Sequence, residues 1–122
     1  MISLFDWNEY LILARELRLK QSEAALRSSI SRAYYAAFCT ALYRLHPNGY
    51  ETFSRDSHAS LWQEYRRQGR AFSHIGMRGD RIRKDRQAAD YDPEVPELGK
   101  VADKVLREAE SIVAYLRERP AK

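Results

Sequence analysis

The sequence is short of cysteine, histidine and glycine, with one, three and five residues respectively, and each shortage removes a class of chemistry. A lone Cys39 excludes an intramolecular disulfide and a cysteine-based zinc site. It lies in an apolar helical segment, where a thiol reads as a packing group rather than a nucleophile. His46, His58 and His74 do not fall at metal-ligand spacing, and no HExxH is present. The glycines form neither a phosphate-cradling loop nor a calcium loop. No stretch approaches the roughly 18 apolar residues of a membrane span. Asp6 and Glu9 interrupt the apolar run that a signal peptide would need. These absences lead us to expect a soluble, cytoplasmic protein that uses no metal or cofactor. No run alternates as a strand would, no repeat is visible, and no linker divides the chain. Its 122 residues suffice for one domain, 1–122, with a core of its own.

What is present is helical periodicity nearly throughout. A first helix is predicted over roughly 5–19, where Leu4, Trp7, Leu11 and Ala14 recur at three- and four-residue spacing and Leu13 and Leu17 widen the stripe. Ser22 is an N-cap for a second helix that runs to about Leu45 and stops before Pro47-Asn48-Gly49. Its stripe is Leu26, Ile30, Ala33, Ala37, Ala41 and Leu45, and the alanines let another helix approach closely. Residues 46–56 read as a loop, after which Asp56 or Ser57 caps a shorter helix with Leu61, Trp62 and Tyr65 on its apolar face. Gly69 ends that helix, and AFSHIGMRGD, residues 71–80, reads as an irregular connection. A basic helix follows over roughly 79–91, stopped at Asp92 because Pro93 pushes the preceding residue toward extended geometry. The last helix starts near Pro96, carries Leu98, Val101, Val105, Ala109, Ile112 and Leu116 at core spacing, and ends before Pro120. The expectation is all-α: an up-and-down bundle of about five helices.

Charge is unevenly spread. The chain carries +4, yet Arg66 to Arg86 holds eight cations against Asp80 and Asp85, a local charge of +6 that leaves −2 elsewhere. Such a segment either meets a phosphate-bearing partner or is a solvated arginine face. At its end Asp90, Tyr91 and Asp92 stand where unpaired carbonyls already carry partial negative charge, which costs about 0.3–1 kcal/mol when exposed. Arg83, Arg86 and Asp90 fall at i, i+3 and i+7 and project from one face. Arg86 and Asp90 are spaced to pair along the helix, in the weaker order, for under about 1 kcal/mol. One reading of this pair is a helix-terminal ion pair that positions Tyr91. On the second helix Ser28, Arg32, Tyr35 and Cys39 share a strip away from the apolar stripe. A strip of this kind packs against another helix or lines an interface.

Two segments, SRAYYAAF at 31–38 and RQAADYD at 86–92, together resemble the HEPN superfamily. The branch is the one with an RAYYAxF helix and an RxxADYD segment. The matching residues are Arg32, Ala33, Tyr34, Tyr35, Ala36 and Phe38, then Arg86, Ala89, Asp90, Tyr91 and Asp92, and the order of helices agrees along nearly the full chain. The resemblance implies a bundle with a four-helix core that forms homodimers. It implies work in prokaryotic toxin–antitoxin, defence or CRISPR-associated systems, often beside a small nucleotidyltransferase that acts as antitoxin. It also implies binding of RNA or nucleotide and, in many members, metal-independent ribonuclease activity. There an arginine stabilises the phosphate, and a histidine separated from it by four to six intervening residues handles the proton, the two copies meeting at the dimer interface.

This chain departs from that signature. After Arg86 the corresponding positions hold Tyr91, Asp92 and Pro93. A tyrosine that ordinarily titrates near about 10 and an aspartate near about 3.9 are poor bases at neutral pH. Arg67 and His74 reproduce the spacing, but Gly69 and the irregular stretch fall between them. The resemblance thus assigns Arg86, Asp90 and Tyr91 as candidate catalytic residues, and Arg83, Arg32 and Tyr35 as candidates for binding phosphate or nucleic acid. Two other readings stand beside it: a catalytically silent module that binds RNA, nucleotide or a nucleotidyltransferase, and a scaffold in which ADYD is a structural cap.

Overall fold

A computed structural model describes residues 4–49 and 57–121, and shows five helices and no strand among them. They are α1 (Asn8–Lys20), α2 (Glu23–Leu45), α3 (Ser57–Arg66), α4 (Arg70–Tyr91) and α5 (Leu98–Arg117). The chain is therefore all-α, and no helix among the described residues is long and apolar enough to cross a membrane.

The long α2 occupies the centre, packing against α5, α1 and α4, while α3 lies mainly on α4. Ser22 caps α2 as its sequence suggests, its hydroxyl accepting the Ala25 N–H at 3.1 Å. Only Gln21 and Ser22 separate α1 from α2, and Gln21 adopts a left-handed conformation (φ 63°) that turns the chain back in so short a span. Small residues Ala33, Ala36, Ala37 and Ala41 of α2 are all fully buried, so burial runs around the helix rather than along one stripe. Central position explains it: three neighbours cover three faces. The buried Ser29 hydroxyl donates to the Ala14 carbonyl at 2.7 Å and ties α2 to α1. The periodic residues of α5, from Val105 to Leu116, enter the same core.

Three expectations change. First, AFSHIGMRGD is helical: α4 begins at Arg70, and Gly69 (φ 88°) sits immediately before it. Gly76 and Gly79 are buried where a Cβ would collide with the Trp62 carbonyl and the Trp62 ring, respectively. Each glycine costs about 1 kcal/mol of helix propensity, and the close approach of α3 to α4 offsets it. Second, α1 begins at Asn8, whose N–H bonds the Asp6 carboxylate at 2.9 Å. Third, α5 begins at Leu98 rather than at Pro96, because Glu97 takes a left-handed conformation (φ 54°) that interrupts the helix. The cap expected at Asp56 lies outside the described residues. His46, at the end of α2, reaches α3 through Glu64 at 3.0 Å.

Candidate functional site

The stop of α4 is local in origin. Asp92 is extended (φ −82°, ψ 134°), as a residue before proline prefers, and its N–H closes the last turn on the Ala88 carbonyl at 2.9 Å. The awkward acidic end is offset from another helix. Arg27 of α2 donates through Nη1 to the carbonyls of Ala89 at 2.9 Å and Asp92 at 2.7 Å, and through Nη2 to that of Pro93 at 3.3 Å. Its Nε pairs with Glu23 at 3.1 Å. A cation on the last carbonyls complements the negative end of the helix. Nothing in local spacing points to Arg27, because its acceptors lie across the fold.

One turn before this end stands Arg86, whose side chain is 8% exposed. Burying a guanidinium is costly unless its donors are met. Here they are met poorly. Nη1 lies 3.4 Å from Asp90 Oδ2, at the long end of hydrogen bonding, and Nε has no partner. What surrounds the cation instead is aromatic: Cζ sits 5.3 Å from the Tyr34 ring centroid and 5.4 Å from that of Tyr35. Tyr35 in turn lies 5.1 Å from the Arg32 guanidinium, which also covers Tyr10 at 4.7 Å. Cations and rings thus alternate from α1 through α2 to α4 in the order Tyr10, Arg32, Tyr35, Arg86, Tyr34. Arg32 has no carboxylate partner among the described residues.

Arg83 is better paired, with Nε on Asp80 Oδ1 at 2.8 Å and Nη1 on Gln87 at 3.4 Å. Asp80 also faces Lys84 at 3.8 Å. The structure brings Arg83, Arg86, Arg32, Tyr35 and Asp90 into one neighbourhood. Tyr91 stands apart, 77% exposed and with no hydrogen bond or ring contact among the described residues. Farther along α4, Arg78 pairs with Glu108 of α5 at 2.6 Å.

Sequence reasoning missed His58, which α3 brings into the same neighbourhood. Its ring stacks on Phe38 with centroids 3.9 Å apart and planes inclined by 19°, and lies edge-on to Tyr35 at 5.7 Å. Nδ1 is 2.8 Å from the Tyr34 hydroxyl, which also accepts the Trp62 indole N–H at 3.1 Å. Burial first, and the charges of Arg86 and Arg83 after it, push the imidazole down to about 4, so it is neutral at physiological pH. Burial likewise raises the Tyr34 phenol, against the opposing effect of the Trp62 hydrogen bond. The motif contained Tyr34, but no spacing rule links it to a histidine on another helix. The other histidines go elsewhere, His46 to Glu64 and His74 to the edge of Tyr115 at 5.0 Å.

Cys39 is 5% exposed, and burial pushes its thiol up to about 12, leaving it protonated and inert. Among the described residues no cluster of three or more histidine, cysteine, aspartate or glutamate side chains is arranged to hold a metal ion. What this neighbourhood can do is attract an anion, through one under-satisfied guanidinium, a second beside it, and two adjacent rings packed against the buried cation. No family model matches this chain, and no curated protein or solved structure matches it.

Proposed function

We propose that this chain is a HEPN-like helical module that binds the phosphate of single-stranded RNA or a nucleotide through Arg86 and Arg83. One observation carries the reading: a guanidinium buried almost completely, yet left with a single long carboxylate contact and an orphan Nε. An ion pair kept for stability alone would be better satisfied. Arg32 and Tyr35 extend the site, Arg32 supplying a second cation that shares the Tyr35 ring with Arg86. The +6 of the segment from Arg66 to Arg86 supports attraction of a polyanion.

A second reading, metal-independent cleavage of the bound strand, is favoured by the presence of the His58 imidazole beside Arg86. The resemblance adds a second copy of this chain and a small nucleotidyltransferase as partners, within a toxin-like role.

The test uses labelled single-stranded RNA, a labelled mononucleotide, and the purified chain with EDTA. Binding is followed by anisotropy across a salt series and cleavage on a gel. RNA binding is expected to weaken as salt rises. Arg86→Ala should weaken it about tenfold and flatten the salt slope by about 0.7 per lost phosphate contact. Tighter binding of the mononucleotide than of RNA would identify a nucleotide site. Products with cyclic phosphate ends, lost in Arg86→Ala, would establish cleavage. Binding indifferent to both salt and Arg86→Ala refutes the reading.

A further inference from the structure

The Tyr34 hydroxyl is fully buried between two nitrogen groups, Trp62 Nε1 at 3.1 Å and His58 Nδ1 at 2.8 Å. An indole N–H only donates, so the Tyr34 oxygen must accept it. The hydroxyl proton then has one acceptor among the described residues, His58 Nδ1. This relay holds the neutral imidazole in its Nε2–H tautomer. Stacking on Phe38 at 3.9 Å fixes the plane of the ring. Nε2–H is left with no partner among the described residues, on a half-buried ring that feels the charges of both Arg86 and Arg83.

We propose that His58 is a third donor of the phosphate site, offering its Nε2–H to an oxygen of the anion that Arg83 and Arg86 attract. The proposal rests on the phosphate-binding reading above and assigns to α3 a part in a site otherwise built from α2 and α4. Neutrality suits the task. A neutral ring adds a donor without adding a third positive charge to two guanidinium groups, and its direction is set in advance by Tyr34 and Trp62.

A linked effect follows. The titratable and charged groups facing the ring are Tyr34 and Tyr35 from α2 and Arg86 and Arg83 from α4, with Trp62 on its own helix. Asp90 and Asp80 are the carboxylates paired with those two arginines. An anion seated among the three donors offsets the guanidinium charges that oppose protonation. The proton affinity of His58 therefore rises when the anion binds, and by reciprocity anion affinity rises by the same factor when His58 is protonated.

Sulfate is the probe, because its charge stays constant while imidazole titrates. In the full chain, the His58 Cε1–H resonance, assigned through bonds, is followed against pH with and without saturating sulfate, and imidazole ¹⁵N shifts report the tautomer. The Nε2–H form is expected in the free protein. Sulfate should raise the proton affinity of His58 about tenfold while leaving His46 and His74 unmoved. His58→Gln should weaken sulfate several-fold, and Arg83→Ala should reduce the sulfate-induced shift. An Nδ1–H tautomer, or sulfate binding that depends on Arg86 and Arg83 but leaves the His58 titration unchanged, overturns the role of His58 and leaves the phosphate site standing. Absence of sulfate binding, or binding indifferent to Arg86→Lys and Arg83→Ala, overturns both. The titration and the tautomer are read on the unsubstituted chain, so both criteria hold even where a variant unfolds.

Discussion

Gly79→Ala separates two accounts of α4 by the sign of its effect. If residues 71–80 were merely a helix with weak glycines, alanine would stabilise the protein by about 1 kcal/mol through propensity alone. In the structure the added methyl falls inside contact distance of three carbons of the Trp62 ring. That ring is fully buried and cannot swing away as a lysine or arginine tip would. Overpacking a rigid core position costs about 1–3 kcal/mol, and three simultaneous ring contacts place this site at the upper end. After subtracting the propensity gain, a net loss of about 2 kcal/mol is expected. For a chain of this length the melting temperature should fall by about 6–8 °C. Gly99→Ala is the control, since its nearest outside atom, Arg18 Nη2, lies at an ordinary 3.7 Å. It should gain about 0.5 kcal/mol. Urea unfolding of the three proteins, followed by circular dichroism, reads both values. A Gly79→Ala protein as stable as the parent, or more so, would refute the packing of α3 on α4 through a glycine notch.

Arg27→Ala removes a cation from three carbonyls at the end of α4, and should cost about 1–3 kcal/mol by urea unfolding, with hydrogen exchange rising first at the amides of the last turn. Arg86→Met replaces a poorly satisfied buried charge with an apolar chain, so stability should hold or rise while RNA binding falls; a loss of about 3 kcal/mol would instead mark Arg86 as structural. The His58 imidazole titrates lower in the folded protein, about 4, than its ordinary 6.5, so the unfolded chain binds the proton more readily. Its contribution to stability is fully present above 6.5 and is lost as pH falls from there toward 4. Unfolding midpoints measured across that range should drop less steeply in His58→Gln than in the parent. Cys39 should resist thiol reagents at mildly alkaline pH until the protein unfolds, and rapid labelling of the native chain would contradict its burial.

Spacing along the chain determines whatever depends on neighbours within a turn or two. The all-α class, the Ser22 cap and the stop before Pro93 were legible for that reason, since a cap is a side chain bonding its own backbone nearby and proline restricts the residue before it. The pairing of Arg86 with Asp90 is of the same kind, being one helical turn apart. Glycines at 76 and 79 were misleading because local propensity opposes a helix there, whereas the reason for a small residue is a tryptophan on a different helix. His58 and Arg27 belong to the tertiary structure alone. Each acts on groups that lie far along the chain, Tyr34 for one and the end of α4 for the other. Their partners are chosen by which helices pack together, and that follows from the summed burial of all the apolar faces rather than from any one motif. Sequence therefore supplied the arginines and tyrosines of the candidate site, while packing decided how deeply Arg86 is buried and which imidazole stands beside it.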